Sequence, residues 1–382
     1  MPWWTILWVA MSSIAALALL FLSAYISSRW FFADHTPDEI HFAVTADGWR
    51  IAVTRYRPAA GAGAPGFDPV LLCPGPGGNR LMFDLTEKTS LARHLAAAGF
   101  DTWIVELRGR GLSTRPRLFS RYRYDWSFDE YVEHDLPAAI DAVLRATGRD
   151  RLHLVGASYG GAVCYALLGD PAWAGKVASA VTLAAPATFR SQGKYLFSWP
   201  LRNLRWLRHK FLMRLLAPLA GYRYMPSVRL LYEKENVSGE VIRRFMVNAI
   251  ANFAGNELLQ YGDWLAGDHF RSIDHRRDYR AAMASIRTPI LLIAGNKDRI
   301  APPRSVKDAS ELCGSSDKRF VIASRGQAMK ANYGHLDLLI GEHAAADVYP
   351  LVKRWLAGER DKGGEGNGGA PSGFPLMIAR FP

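Results

Sequence analysis

The sequence predicts an α/β fold: a mostly parallel β-sheet with helices on both faces, an inserted helical cap, and an N-terminal transmembrane helix. Three observations predict it. Short apolar runs alternate with helix-patterned stretches from about residue 70 to 183, lapse for about a hundred residues, and resume from 289. Residues 1–28 carry no charged side chain. The 382 residues are 49% hydrophobic and 21% charged, too apolar a balance for a disordered polypeptide, so a folded core must cover most of the chain.

Taken in order, Trp3 to Ile26 is a mainly apolar run of 24 residues. As a helix it spans roughly 36 Å, against a hydrocarbon core of roughly 30 Å. A cleaved signal peptide wants a basic start and an apolar stretch of roughly 7–15 residues. This run is longer and has only the terminal amine before it, so it reads as an uncleaved single-pass anchor, with secretion after cleavage as the alternative. Trp3, Trp4 and Trp30 bracket it like interface anchors. Arg29 is the only nearby basic side chain, which leaves the orientation open.

Beyond the anchor, 40–44 and 51–56 read as a hairpin turned at Asp47-Gly48. Strands are predicted over 70–73, 102–105, 152–155, 177–183, 289–294 and 319–323. Helices are predicted over 81–98, 131–147, 160–168, 305–312 and 341–356. The organisation expected is an anchor over 1–35, a sheet domain over 36–189 and 288–358, an inserted helical cap over 190–287 and a tail over 359–382. Six of the eleven residues from Gly363 to Gly373 are glycine, the composition of a flexible linker.

The net charge of +12 is unevenly spread: Arg190 to Tyr232 holds nine Lys or Arg and no Asp or Glu. Leu201, Leu204, Leu207, Phe211 and Leu215 recur at helical spacing, with Arg202, Arg205, Arg208, His209 and Lys210 around them. That is the pattern of a helix on a membrane surface, or of a cap helix with a solvated basic face. No nucleic-acid-binding motif accompanies the charge, so a nucleic-acid partner is not expected. Cys73, Cys164 and Cys313 form no C-x-x-C pair and read as small buried hydrophobes, not as a metal or redox site.

The chemistry concentrates in Gly156-Ala157-Ser158-Tyr159-Gly160, between a predicted strand and a predicted helix. A G-x-S-x-G elbow needs small neighbours because the serine sits in a strained strand-to-helix turn that lifts its hydroxyl off the sheet. A free serine is a poor nucleophile, so a base and an orienting acid must follow, in the order Ser, Asp or Glu, His. Asp298 stands in the loop after strand 289–294, and His335 in the loop between the last strand and the last helix. The expected roles are Ser158 as nucleophile, His335 as general base and then acid, and Asp298 as orienter. Asp337 is an alternative acid, but only two residues from His335 it reads as a solvated or capping side chain. His343 reads as a surface residue inside the last helix.

With these motifs the chain resembles the α/β-hydrolase superfamily from about Ile40 to Leu356. Glu106-Leu107-Arg108-Gly109-Arg110-Gly111-Leu112-Ser113 looks like the family's loop after the fourth strand. Trp126 to Glu130, with Asp135-Leu136-Pro137-Ala138 and Ile140-Asp141, looks like the acid-lipase branch. Pro74 to Arg80, Asp84-Leu85, Ser90-Leu91-Ala92 and Gly99-Phe100-Asp101 are similar to polyhydroxyalkanoate synthases. Those acyltransferases use cysteine at the elbow, and Ser158 argues for hydrolysis instead. Dehalogenase or epoxide-hydrolase chemistry is disfavoured, because those relatives place Asp there.

The resemblance implies a lipase- or esterase-like enzyme that cleaves carboxylic esters through an acyl-serine, without metal or organic cofactor. An acyltransferase and a catalytically silent scaffold are the alternatives. The resemblance also implies an oxyanion hole made by the N–H of Tyr159 and of a residue in the Pro74-Gly75-Pro76 loop. Pro76, at the usual position, has no N–H, so Gly77 is the expected substitute in a shifted loop. An apolar ester or lipid substrate is expected, because Tyr195, Phe197, Trp199, Trp206, Phe211, Phe253, Trp264 and Phe270 crowd the cap. For most of these, the cap's own core is the better reading.

Overall fold

The computed structural model describes residues 2–33, 35–59, 66–117, 119–190, 208–221 and 230–359. Helix α1 (Trp3–Trp30) runs unbroken for 28 residues. Among the described residues it is the one helix long and apolar enough to cross a membrane. Its serines expose little polarity: Ser13, Ser27 and Ser28 donate their hydroxyls to carbonyls four residues back. Only Ala24 and Ser27 are buried, where α1 meets the inserted segment.

A hairpin, β1 (Glu39–Val44) and β2 (Arg50–Tyr56), opens the sheet. It continues with β3 (Val70–Cys73), β4 (Thr102–Glu106), β5 (Leu152–Ala157), β6 (Val177–Leu183), β7 (Ile290–Gly295) and β8 (Lys318–Ala323). The spatial order is β1-β2-β4-β3-β5-β6-β7-β8. β2 pairs antiparallel with β1 and β4, and every later pairing is parallel. Strands β3, β4, β5 and β7 are buried at every position. Covered on both faces, they read as continuous apolar runs, which is why they were legible in the sequence.

Helices α2 (Leu91–Ala97), α3 (Leu136–Thr147), α4 (Tyr159–Leu168), α5 (His209–Leu216), α6 (Gly239–Asn248), α7 (Gly255–Gly267), α8 (Pro303–Leu312) and α9 (Tyr349–Leu356) complete the described elements of eight residues or near it. Two helical expectations need correction. The stretch 81–98 is helical only at Arg80–Met82 and again in α2. Between them Asp84 turns inward, taking hydrogen bonds from Tyr56 Oη (2.9 Å) and Arg93 Nε (2.8 Å), and Ser90 then caps α2. The stretch 341–356 is not one helix but the turn Ala344–Asp347 followed by α9. Pro350 has no N–H to continue a helix from upstream, and His343 is half-buried at the N-cap of the short turn instead of inside a helix.

Of the inserted segment between β6 and β7, the described part lies on the sheet domain without a separate core. Tyr232, Ile242, Phe245, Trp264 and Phe270 belong to the same buried cluster as the sheet strands. Phe128, from the sheet domain, packs edge-on against Trp264 at 4.9 Å. Trp264 and Phe270 therefore fill a shared core, while Phe211 stands against Phe21 of α1, with ring centroids 5.2 Å apart. Tyr195, Phe197, Trp199, Trp206, the 201–207 part of the basic helix and the tail from 360 lie outside the described residues. The three cysteines are buried and unpaired.

A buried Trp→Ala change costs about 3–5 kcal/mol when the site cannot collapse. Trp264→Ala is expected to lower unfolding stability by about that amount, read as a shift in the denaturant midpoint of the whole protein. A loss near zero would mean that the inserted segment does not share the core.

Candidate active site

The elbow follows β5 directly. Ser158 has φ 54° and ψ −124°, a conformation that side chains rarely adopt. It is pinned on both sides: its N–H donates to Leu183 O at 2.7 Å, and its carbonyl accepts from Gly161 and Ala162 as α4 begins. The flanking glycines are steric necessities. A Cβ on Gly156 would lie 2.5 Å from Gly161 Cα, and one on Gly160 would lie 2.3 Å from the Cys73 carbonyl oxygen.

The three residues that the sequence singles out, from three separate loops, meet here. His335 Nε2 lies 2.8 Å from Ser158 Oγ, and His335 Nδ1 lies 2.8 Å from Asp298 Oδ2. The other Asp298 oxygen accepts the N–H groups of Ile300 and Ala301, each at 2.8 Å, which fixes the carboxylate plane. The two loops are stitched together. Lys297 N donates to Tyr333 O (2.8 Å), Asn296 Nδ2 to Asn332 Oδ1 (2.9 Å), and Tyr333 N to Asn296 Oδ1 (3.0 Å). Neither asparagine stood out in the sequence, although each precedes its triad-type residue by only two or three positions.

Asp337 is not solvated; it is fully buried. It acts as a backbone cap, accepting Gly334 N at 3.0 Å and Glu233 N at 3.1 Å, and so ties the histidine loop to the inserted segment. Burial outweighs these bonds and pushes its carboxyl up to about 7. Asp298, not Asp337, is the carboxylate at His335.

Residues Gly75 to Gly78 form a tight turn closed by Gly78 N to Gly75 O at 3.0 Å. Pro76 occupies its second position and Gly77, with φ 62°, its third. Proline forbids a positive φ at the second position, so this is a type II turn. The N–H groups of Gly77 and Tyr159 donate to no protein acceptor among the described residues.

Above the serine lies a cavity of about 300 Å³ walled by Met82, Leu183, Phe189, Met213, Phe245 and Phe253. Ser158 and His335 stand in its lining. His209 adds a polar edge; burial, with Arg110 nearby, lowers its pKa. Glu257, also in the lining, is held by Arg110 at 2.7 Å in an ion pair buried on both sides. No cluster of His, Cys, Asp or Glu among the described residues is arranged to hold a metal ion.

The family model described as alpha/beta hydrolase fold matches residues 68–327, more than half of the chain. The chain belongs to the alpha/beta hydrolase fold family. This hydrolase is 24% identical over 369 residues to the gastric triacylglycerol lipase of Bos taurus, covering 85% of this chain and 89% of that one. It is 24% identical over 335 residues to the poly(3-hydroxyalkanoate) polymerase subunit PhaC of Allochromatium vinosum, covering 79% and 84%. Among solved structures it matches a thermophilic esterase from Thermogutta terrifontis with a TM-score of 0.56 and 17% identity. That match covers 84% of this chain and 99% of the other, and it is a likeness of fold. In this hydrolase the acidic residue that ends β4 is structural: buried Glu106 accepts the N–H groups of Arg80 (3.1 Å) and Leu112 (2.6 Å).

Asp337 gives the hydrolase a pH-dependent stability term of defined sign. Its folded pKa lies above its unfolded value, so the folded state holds a proton that the unfolded chain releases, and stability falls as pH rises from about 4 through about 7. Asp337→Asn keeps one acceptor and removes the titration. Relative to wild type, its melting temperature is expected to improve steadily between about pH 5 and pH 8, as thermal melts across that range would show. A constant offset would contradict the assignment.

Proposed function

We propose that this α/β hydrolase is a membrane-tethered serine esterase that cleaves carboxylic esters with apolar acyl chains through an acyl-serine intermediate. In this reading residues 1–35 are the tether, 36–189 and 288–358 the catalytic domain, 190–287 its cap and 359–382 a flexible tail. One observation carries it: a Ser158–His335–Asp298 chain with 2.8 Å at each link, exposed to an apolar cavity. The similarity to a triacylglycerol lipase supports the lipase/esterase class.

His335 Nε2 takes the Ser158 proton as Oγ attacks the ester carbonyl, and Asp298 stabilises the resulting imidazolium while fixing its tautomer. The carbonyl oxygen becomes an oxyanion that accepts the free N–H groups of Tyr159 and Gly77. Collapse breaks the bond to the alcohol, which leaves with the proton from His335. Water then repeats the sequence: His335 takes its proton, the hydroxyl attacks the acyl-serine, and carboxylic acid and free Ser158 result. No step calls for a metal ion or organic cofactor. The silent-scaffold alternative rested on Pro76, and the type II turn, which leaves the next N–H without a protein acceptor among the described residues, supports the enzymatic reading over it. The likeness to a polymerase subunit keeps acyl transfer as a second outcome, in which an alcohol or thiol replaces water.

The bilayer as partner rests on α1, whose Trp8, Val9, Ile14, Leu19 and Phe21 are all more than half exposed. A contiguous apolar surface of that size requires cover.

In membranes, an active-site fluorophosphonate is expected to label the wild type and not Ser158→Ala, and the variant should lose at least about 10⁴-fold in ester hydrolysis. An unlabelled wild type would overturn the proposal; product analysis with a competing alcohol separates hydrolysis from transfer. Deleting residues 1–28 is expected to move the protein to the soluble fraction. Continued tight association would assign membrane binding to the basic inserted segment instead.

A further inference from the structure

The exit of α1 and the turn that carries Gly77 are joined by one strip of backbone. Past α1, Phe31 O accepts Asn248 Nδ2 at 2.7 Å, and Ala33 N donates to Asn248 Oδ1 at 3.1 Å. One side-chain amide thus grips the chain leaving the helix with both its donor and its acceptor. Arg243 lies over the Phe31 ring at 5.8 Å, and Ala24 and Ser27 are buried where α1 packs on the inserted segment around α5.

The backbone of that residue faces the other way. Asn248 O accepts Asn79 Nδ2 at 2.7 Å, Ala249 O accepts Asn79 N at 3.1 Å, and Ala251 N donates to Gly77 O at 2.6 Å. Gly78 and Ile250 form a β-bridge. Asn79 closes the connection by capping the short helix at Arg80 through its other side-chain atom, which accepts Leu81 N at 2.9 Å. At the end of the strip, the Phe253 ring fills the space that a Cβ on Gly77 would need, 2.8 Å away. The strip thus holds the Gly77 carbonyl and Asn79, directly after the peptide that carries the Gly77 N–H, and its first residue holds the exit of α1.

We infer that the strip Asn248–Phe253 couples the seat of α1 to the oxyanion turn, and that Asn248 and Asn79 are positioning residues for catalysis: the hydrolase turns over at full rate only while α1 is docked. This rests on the reading of the Gly77 N–H as an oxyanion donor. A donor displaced from the developing oxyanion weakens transition-state binding and leaves ground-state binding nearly untouched, so the effect falls on kcat. Losing such a donor outright costs about 10²–10³ in rate.

The test uses the full chain in phospholipid nanodiscs with p-nitrophenyl butyrate, and kcat is expressed per serine titrated by fluorophosphonate, so that misfolded protein does not count. Asn248→Ala removes the grip on α1. Asn79→Ser retains a hydroxyl to cap the Arg80 turn but loses the donor to Asn248 O. Ala24→Trp wedges α1 away without touching the strip, and disulfide capture between Phe21→Cys and Phe211→Cys reports whether the helix is seated. Each of the three variants is expected to lower kcat at least about tenfold with KM within about threefold. The combination of Ala24→Trp with Asn248→Ala should fall no further than either alone. Leu17→Ala, on the exposed side of α1, should match the wild type. Unchanged kcat per titrated serine, a rise in KM alone, or a combined loss equal to the product of the single losses would each overturn the coupling. If Ser158→Ala still hydrolysed at the wild-type rate, the esterase reading itself would be wrong; if it is inactive while Asn248→Ala matches wild type, only the coupling fails.

Discussion

The whole site hangs on one strained residue. Holding Ser158 at φ 54° and ψ −124° costs about 1–3 kcal/mol, and such a conformation persists only where its surroundings over-determine it. β5 supplies one wall and α4 the other, and they approach so closely that only glycine fits at position 156. A Cβ on Gly160 would lie 2.3 Å from the Cys73 carbonyl oxygen and 2.4 Å from that of Pro74, so the start of the Gly75–Gly78 turn and the serine elbow are packed directly against each other. A shift in either therefore moves both.

Around that point the sheet and the inserted segment divide the work. The C-terminal ends of β3, β5, β7 and β8 deliver the turn, the serine, the carboxylate and the histidine, the edge at which open α/β sheets bind ligands. The inserted segment supplies much of the apolar wall, through Met213, Phe245 and Phe253. It is fastened from beneath by Arg110, whose guanidinium reaches Glu257, Tyr131 Oη and the carbonyl of Asn252. Removing either charge would strand the other in an apolar setting, a far larger penalty than the pair itself contributes.

Much of this is legible in the sequence, for physical reasons. Parallel strands covered on both faces cannot hide their apolar runs. The elbow, the loop after β7 and the loop after β8 each carry a residue type that the chemistry requires, in a fixed chain order. What stayed hidden depends on distant partners. Asp337 is buried because Glu233, 104 positions away, presents its N–H there. Asn79 looks like any turn residue until Asn248, 169 positions on, offers its carbonyl. The helix expected over 81–98 breaks because Asp84 is drawn to Tyr56 and Arg93, and a local pattern carries no trace of that attraction.

The buried cysteines bear on where such a protein can work. Cys73 and Cys164 sit inside the packed sheet-and-helix core, and burial pushes the Cys164 thiol up to about 12 and raises that of Cys73 well above its ordinary value. Cys313 is buried too and its thiol is also raised. A thiol without thiolate character is a poor substrate for oxidants and for disulfide exchange. The described structure holds no disulfide for a reducing compartment to break. The three cysteines therefore contribute to the fold by packing and not by a crosslink.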